Sequence, residues 1–290
     1  MIYTVTLNPS IDCVMAVGAI EAGATNRALS QELRFGGKGV NVSRALARIG
    51  EASVALGFTA GFTGEALARH TAETERLITP DFIALREGVT RVNVKLRGEA
   101  ETEINAPGPR VGAEEANALL KKLDALREGD TLVLSGSLPS GLPADFYARM
   151  LARVRGKGVR AAVDTSGAAL EACLPFRPFL VKPNKQEIEA LFGAGADPAE
   201  CAFRLREAGA RNALVSLGAD GAVLADETGA VIFAEAKSRS GGCTVGAGDA
   251  ALAGFIAAAA RGAAGAKALD FAMERAKEWI EANAWRSQLS

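Results

Sequence analysis

Short apolar runs separated by polar or glycine-rich turns dominate the hydrophobic pattern of this chain. Such runs are typical of strands that are buried on both faces of a sheet. The predicted strands of this kind are 2–7, 53–58, 81–85, 131–134, 159–163, 179–181, 213–217, 222–225 and 230–233. Helical spacing of apolar residues predicts a first helix that begins at the glycine turn 36–39 and ends at residue 50. A closing helix is predicted in the tail. The helices predicted between these two are 64–76, 113–126, 144–155, 184–192, 198–208 and 250–261. From residue 107 onward the alternation is regular, which predicts an α/β protein whose central, mostly parallel sheet has helices on both faces.

Residues 91–97 break this pattern, because their apolar and polar residues alternate strictly. Strict alternation indicates a strand with one wet face, which does not belong inside a sheet covered on both sides. Residues 101–105 resemble the return strand of a hairpin, and residues 13–35 contain two further weak strand-like runs. We therefore predict a small separate β-sheet, formed by about 13–35 and 88–106, that acts as a lid over a cleft. We assign the whole of 1–290 to a single domain.

Composition excludes several classes of function. Lys and Arg number 33 against 34 Asp and Glu in 290 residues, so the formal net charge is −1. A chain this close to neutral gives no electrostatic reason to expect binding to nucleic acid or to an anionic membrane surface. The first residues lack the basic flank and long apolar region of a signal peptide, and no apolar run reaches the ~18 residues of a membrane span.

Cysteine and histidine usage narrows the chemistry further. The four cysteines lack metal-ligand spacing and suit reduced thiols, so we expect a cytoplasmic protein. They are Cys13, Cys173, Cys201 and Cys243. The chain has 1 histidine, His70, which is too few for most zinc sites and His-based triads. Its polar neighbours indicate a solvated position on a helix.

The motif Gly246-Ala247-Gly248-Asp249 combines a glycine-rich turn with the start of an apolar helix. Glycines allow close approach to the backbone, and a helix N-terminus carries partial positive charge, so the N–H groups here suit an anion. A carboxylate beside an anion site repels the anion, and Asp249 therefore needs another role. It either caps the helix or accepts a proton from a group that attacks a phosphate.

Polar side chains follow several of the predicted strands. Ligands of such sheets bind beyond the carboxyl ends of the strands. Asn8, Ser135, Asp164, Lys182 and Ser216 lie at those ends. The sequence thus predicts a ligand site at this edge, where Asp164 is expected to give hydrogen-bonding support.

Several motifs together resemble those of one family. They are 6–12 (TLNPSID), 36–42 (GGKGVNV), 90–95 (TRVNVK), 135–139 (SGSLP), 182–184 (KPN), 215–218 (VSLG) and 244–249 (TVGAGD). They occur in the order found in ribokinase-like sugar kinases of the PfkB group, over roughly residues 1–262. Within that group the chain resembles the sugar-phosphate branch, which includes 1-phosphofructokinases, tagatose-6-phosphate kinases and the minor 6-phosphofructokinase. The resemblance implies a ribokinase-like fold.

The resemblance also implies roles for individual residues. Asp249 resembles the catalytic base, and with the other motifs present we favour that role over a helix cap. The resemblance also implies that the N–H groups of Gly246, Ala247 and Gly248 form an anion hole for the transferring phosphoryl group. The implied substrate contacts are Asp12, Arg27, Gly37, Lys38, Asn41 and Arg91. The implied nucleotide contacts are Lys182, Asn184, Ser216, Gly218, Thr244 and Gly246, with Glu187 near a magnesium ion through water.

Some of these residues also have purely structural interpretations. Asn184 and Glu187 match a capping box at a helix start. The alternative interpretation is an exposed surface charge for each of Lys38, Arg27 and Arg91. For Ser216 and Gly218 it is a plain turn.

The chain departs from the family pattern on either side of the 246–249 motif. The lead-in 238–243 is longer than we expect. The tail 271–285 is bulky and charged, whereas relatives carry there a helix of small residues that lines the adenine pocket. Adenine contacts are therefore not assigned to the tail.

The resemblance implies ATP-dependent phosphorylation of a ketohexose monophosphate to the bisphosphate, with Mg²⁺. Fructose 1-phosphate is the favoured substrate, followed by tagatose 6-phosphate or fructose 6-phosphate. One alternative is a kinase of an unphosphorylated sugar or nucleoside, but a neutral substrate does not need the cations Arg27, Lys38 and Arg91. The other alternative is a catalytically silent relative that binds a sugar phosphate. A dinucleotide oxidoreductase is disfavoured because no Gly-x-Gly-x-x-Gly follows the first strand. By analogy with relatives we expect a homodimer formed through the lid.

Overall fold

The computed structural model describes residues 1–98, 101–237 and 245–283. Strands and helices alternate along most of this length. The strands are β1 (Ile2–Thr6), β2 (Ser10–Ala16), β3 (Ser30–Gly36), β4 (Ser53–Ala60), β5 (Ile78–Leu85), β6 (Arg91–Arg97), β7 (Glu101–Ile104), β8 (Thr131–Ser135), β9 (Arg160–Asp164), β10 (Leu180–Val181), β11 (Asn212–Ser216), β12 (Ala222–Ala225) and β13 (Val231–Ala234). The helices are α1 (Lys38–Arg48), α2 (Gly61–Thr74), α3 (Ala113–Lys122), α4 (Phe146–Val154), α5 (Gly167–Cys173), α6 (Lys185–Phe192), α7 (Pro198–Glu207), α8 (Ala247–Ala260) and α9 (Gly265–Ala282).

The main sheet confirms the predicted mostly parallel arrangement. Within the described residues it has nine strands in the order β13-β12-β11-β10-β9-β8-β1-β4-β5. Neighbouring strands from β11 to β5 pair in parallel, while β12 and β13 are antiparallel at one edge. The carboxyl ends of β1, β8, β9, β10 and β11 therefore meet at one edge of the sheet.

Helices cover both faces of this sheet, as predicted. Alternate side chains of β8 point to opposite layers, because successive residues of a strand face opposite sides. Leu132 and Leu134 pack in the layer that holds α3 to α7, whereas Val133 packs in the layer that holds α1, α8 and α9.

Two parts of the sequence-based assignment need correction. Helix α5 was not predicted, because its seven residues are too short to show a helical period and follow a polar loop. Strand β5 begins at Ile78 rather than at residue 81, and it contains Pro80. Proline lacks the N–H that a central strand needs, but β5 is an edge strand and accepts it.

The predicted small sheet is present and has the order β3-β2-β6-β7. We call this sheet the lid. Strands β6 and β7 form the expected antiparallel hairpin, and β2 pairs in parallel with β6. Strand β2 begins soon after β1 ends, and β3 ends just before α1, so the lid is attached at the carboxyl edge of the main sheet. The lid also contacts α2, where Phe35 stacks on His70 with ring centroids 4.4 Å apart. His70 lies on a helix as predicted, but its side chain is half-buried against the lid rather than fully solvated.

Helix α8 is buried along most of its length and packs closely against α9. The close approach of α8 to α9 requires glycine at position 254. A β-carbon placed there would lie 2.9 Å from the Ala272 Cα and 2.8 Å from the Arg275 Cγ.

We expect Gly254→Ala to destabilise the fold by about 1–3 kcal/mol, because the added methyl group must push α9 away from α8. The free energy of unfolding in urea measures this change. Gly18→Ala is the matched control, since a β-carbon at Gly18 would have nothing within 4 Å. Equal stability of the two variants would contradict the close packing of α8 on α9.

Candidate active site

The carboxyl edge of the sheet brings together polar side chains from distant parts of the chain. Asp164 ends β9, Ser216 ends β11, and Lys182 follows β10. Lys38 is the first residue of α1, and Asp249 lies in the first turn of α8. The site predicted at this edge is therefore formed by strand ends and helix starts.

Asp164 lies at the centre of a buried cluster of charges. Its side chain is completely buried; Oδ1 is 3.0 Å from the Lys38 Nζ and Oδ2 is 3.2 Å from the Lys182 Nζ. Burial alone would raise the pKa of Asp164, but Lys182 and Lys38 outweigh it and hold the pKa below its usual value. Asp164 is thus an ionised carboxylate between two ammonium groups, a larger role than the support predicted from the sequence.

Lys38 is shared between two carboxylates. Besides Asp164, it contacts the Glu187 Oε1 at 3.3 Å. Burial disfavours the charged ammonium, but Asp164, Glu187 and Asp249 together raise the pKa of Lys38 above its usual value. The interpretation of Lys38 as a plain surface charge is therefore wrong.

Asp249 is buried, and its Oδ2 accepts a hydrogen bond of 2.9 Å from the Asn41 Nδ2. Burial, followed by the negative charge of Asp164, raises the pKa of Asp249 to about 7, against the opposing effects of Lys182, Asn41 and Lys38. A carboxylate with such a pKa both accepts and releases a proton near neutral pH.

The 246–248 turn begins α8 with free backbone donors. Gly246 precedes the helix in a left-handed conformation with φ 85°, which favours glycine. The first N–H groups of a helix have no partner within it, so those after Gly246 are available to a ligand. A β-carbon placed at Gly248 would lie 3.2 Å from the Lys182 Nζ, which shows that a positive charge lies beside the turn.

Asn184 and Glu187 form the capping box that their spacing matches. The Glu187 N–H donates to the Asn184 Oδ1 and the Asn184 N–H donates to the Glu187 Oε2, each at 2.9 Å. The Ser216 N–H donates to the Pro183 carbonyl at 3.0 Å, which places Ser216 beside the start of α6. Capping does not exclude a ligand role for Glu187, because its Oε1 already reaches toward the site at Lys38.

Polar side chains line one face of the lid. The Asp12 Oδ1 accepts hydrogen bonds from the Asn93 Nδ2 at 2.8 Å and from the Ser10 Oγ at 3.0 Å. The Lys95 Nζ lies 3.7 Å from the Asp12 Oδ2. Arg91 donates to the Asn8 carbonyl at 3.2 Å.

Asn93 and Lys95 were missed as candidates, although a signal was available. Arg91, Asn93 and Lys95 are two residues apart along β6, so their side chains lie on the same face of the strand. Asp12 pairs with Asn93 in the register of β2 with β6, and it lies on that face too.

The remaining predicted site residues differ in their placement. Gly37 has φ 120° and packs against Thr6 and Pro9, where a β-carbon would clash. Gly218 begins a short turn after β11. Arg27 is exposed in the connection between β2 and β3, and its side chain has no hydrogen-bond or ion-pair partner within 1–98, 101–237 and 245–283. Thr244 lies outside the described residues.

The charges at this edge suit a phosphate ligand with a hydrated divalent cation. Across the described residues, no three His, Cys, Asp or Glu side chains are grouped to hold a metal by themselves. Mg²⁺ commonly binds one or two carboxylates and completes its coordination with water and substrate phosphates. Glu187, with Lys38 and Lys182 nearby for the phosphates, fits such a site.

Comparison with known proteins gives the family. The model of the pfkB family carbohydrate kinases matches residues 5–284. The chain belongs to this family. It is therefore a carbohydrate kinase, a phosphotransferase that acts on a sugar hydroxyl.

Individual relatives of this kinase agree with the family. The 1-phosphofructokinase of Bacillus subtilis is 42% identical over 261 residues, covering 89% of this chain and 85% of that protein. The D-tagatose-1-phosphate kinase of Bacillus licheniformis is 34% identical, covering 88% and 84%. The crystal structure of phosphofructokinase-2 from Escherichia coli in complex with fructose-6-phosphate has a TM-score of 0.85 at 26% identity, covering 97% of this chain and 98% of that one.

In the described part of the kinase, no helix has the length and apolar character needed to cross a membrane.

We expect Asp164→Asn to lower the pKa of Asp249 below about 7, because it removes a negative charge that disfavours ionisation of Asp249. Titration of the Asp249 carboxyl ¹³C resonance measures the shift. Asp226→Asn is the control, since Asp226 is also buried but follows β12 at the opposite edge of the sheet. An unchanged Asp249 titration in Asp164→Asn would show that the two carboxylates do not interact.

Proposed function

We propose that this kinase transfers the γ-phosphoryl group of ATP to a ketohexose monophosphate, with fructose 1-phosphate as the favoured substrate and fructose 1,6-bisphosphate as its product. Tagatose 6-phosphate and fructose 6-phosphate follow as candidates, and the name of the B. licheniformis relative adds D-tagatose 1-phosphate. The observation that carries the proposal is the buried Asp249, whose pKa is raised to about 7, at the N-terminus of α8.

Asp249 acts as the general base. The sugar hydroxyl oxygen attacks the γ-phosphorus, its proton moves to the Asp249 carboxylate, and the bond between the γ-phosphorus and the bridging oxygen breaks to release ADP. Because burial and the charge of Asp164 raise the pKa of Asp249 to about 7, its carboxylate is able to take up this proton near neutral pH. The Asn41 amide orients the carboxylate from the side by donating to Oδ2.

The anion hole stabilises charge on the transferring group. The N–H groups of Gly246, Ala247 and Gly248 are held at the start of a helix, and they need no reorientation when negative charge develops. Lys182 adds a positive charge beside Gly248. Glu187 would hold Mg²⁺ through water, and the bound ion would add to the neutralisation of the phosphate oxygens.

Cations and polar groups bind the substrates on either side of this centre. Asp12 accepts hydrogen bonds from the sugar hydroxyls, Arg91 and Arg27 contact the phosphate already on the sugar, and Lys38 contacts a phosphate from the sugar side. Gly37 and Asn41 complete the sugar side. The proposed nucleotide contacts are Lys182, Asn184, Ser216, Gly218, Thr244 and Gly246.

We expect turnover with fructose 1-phosphate and much weaker turnover with ribose or adenosine, because neutral substrates make no use of Arg91 and Lys38. A coupled ADP-release assay measures this with fructose 1-phosphate, D-tagatose 1-phosphate, tagatose 6-phosphate, fructose 6-phosphate, ribose and adenosine. Asp249→Asn should lower kcat by about 10²–10⁴-fold while sugar-phosphate binding stays, since a general base contributes that much.

The controls separate the alternatives. Asp226→Asn, a buried carboxylate at the opposite edge, should keep wild-type kcat. Turnover with ribose or adenosine alone would replace the proposal by a kinase of neutral substrates. Fructose 1-phosphate binding without any turnover would support a silent binding protein instead.

We also propose that two copies pair through the outer face of the lid. Leu33, Cys13, Val94 and Ile104 form one cross-strand row on the face opposite Asp12. Leu33 is 50% exposed and Ile104 is 59% exposed, which is unusual for large apolar side chains placed together. A second copy of the same face would cover them.

We expect Ile104→Lys to give a monomer, because a charge would be buried between the paired lids. Sedimentation velocity measures the mass. Phe233→Lys is the control, since Phe233 is 58% exposed on β13, away from the lid. A wild-type monomer, or a dimer that Ile104→Lys leaves intact, would refute pairing through this face.

A further inference from the structure

Trp279, in the tail that departs from the family pattern, contacts the turn that begins α8. Its side chain is buried, and its indole Nε1–H donates to the Val245 carbonyl at 3.0 Å. A buried indole N–H requires an acceptor, and this carbonyl satisfies it. The bond joins the end of α9 to the residue directly before the anion hole.

The direction of this bond also determines the direction of the next N–H group. The peptide bond between Val245 and Gly246 is trans, as are all those described. In a planar trans peptide the C=O and N–H groups point in opposite directions. Because the Val245 carbonyl points at the indole, the Gly246 N–H points away from α9. That N–H is one of the proposed anion-hole donors.

The indole also packs directly on Gly246. A β-carbon placed at Gly246 would lie 2.7 Å from the Trp279 Nε1, so no larger residue fits while the indole is present. On the ring itself, the Arg48 guanidinium carbon lies 4.3 Å from the Trp279 ring centroid. Arg48 ends α1, the helix that also carries Asn41, which donates to Asp249. The indole is therefore held between α1 and the turn.

We propose that Trp279 is a positioning residue for phosphoryl transfer. Its indole N–H holds the Val245 carbonyl and thereby aims the Gly246 N–H at the transferring phosphoryl group. This inference rests on the proposed function of the 246–248 turn. Trp279 needs no contact with substrate for this role, because it acts through the peptide group between Val245 and Gly246.

A ligand-free experiment tests the hydrogen bond itself. The chain has 2 tryptophans, so Trp285→Phe leaves the Trp279 indole as a single resonance. We expect its N–H to exchange with solvent about tenfold or more slowly than a free indole. We also expect Trp279→Phe to shift the Gly246 amide resonance. Exchange at the free rate, or an unchanged Gly246 resonance, would overturn the proposal whatever reaction the protein catalyses.

Kinetics test the consequence for catalysis. We expect Trp279→Phe to lower kcat by about tenfold or more with the KM for the sugar phosphate within about twofold, since misaimed donors mainly weaken binding of the transition state. Phe271→Leu is the matched control on α9, because Phe271 packs on Arg261 and Arg275 rather than on the turn, and it should keep wild-type kcat.

An indole isostere separates the hydrogen bond from packing. Benzothienylalanine at position 279 keeps the shape of the ring but replaces the N–H by sulfur. We expect it to lower kcat as Trp279→Phe does while lowering the melting temperature less than Trp279→Phe does, because the ring still fills its site. Wild-type kcat with this side chain would show that Trp279 only packs. If the wild-type protein phosphorylates none of the tested sugars, the proposed function fails, and the exchange experiment still decides the hydrogen bond.

Discussion

The completely buried carboxylate of Asp164 is the constraint on which the active site depends. A charge removed from water is costly unless opposite charges replace the lost solvation, and here Lys38 and Lys182 supply them. One comes from the start of α1 and the other from the loop after β10, so the fold must bring both to the end of β9. The Lys182 charge then lies beside the 246–248 turn, and the negative charge of Asp164 contributes to the raised pKa of Asp249.

Helix α1 connects the parts of this site. Lys38 contacts Asp164, Asn41 donates to Asp249, and Arg48 lies over the Trp279 ring. Each partner belongs to a different part of the chain, so a single helix contacts the buried charge, the proposed base and the residue that supports the proposed anion hole. Gly37 allows this helix to begin directly against β1, where a β-carbon would meet Thr6.

The lid combines two different surfaces, because its strands alternate. One face carries Asp12, which accepts a hydrogen bond from Asn93 and forms an ion pair with Lys95. The other face carries Leu33 and Ile104, which a monomer leaves exposed. The same alternation therefore provides a polar face for the proposed substrate contacts and an apolar face for the proposed pairing with a second copy of the chain.

Most of the fold and part of the site were predictable from the sequence. The buried strands, the alternating lid and the glycine turn before Asp249 depend on local patterns, so the sequence alone determined them and pointed to the carboxyl edge of the sheet. Helix α5 is too short for a periodic signal. The charge pairing of Asp164, the raised pKa of Asp249 and the contact of Trp279 with Val245 were decided only by the tertiary structure. They depend on burial and on distances between residues far apart in sequence, such as Lys38 and Asp164, and no local pattern contains that information.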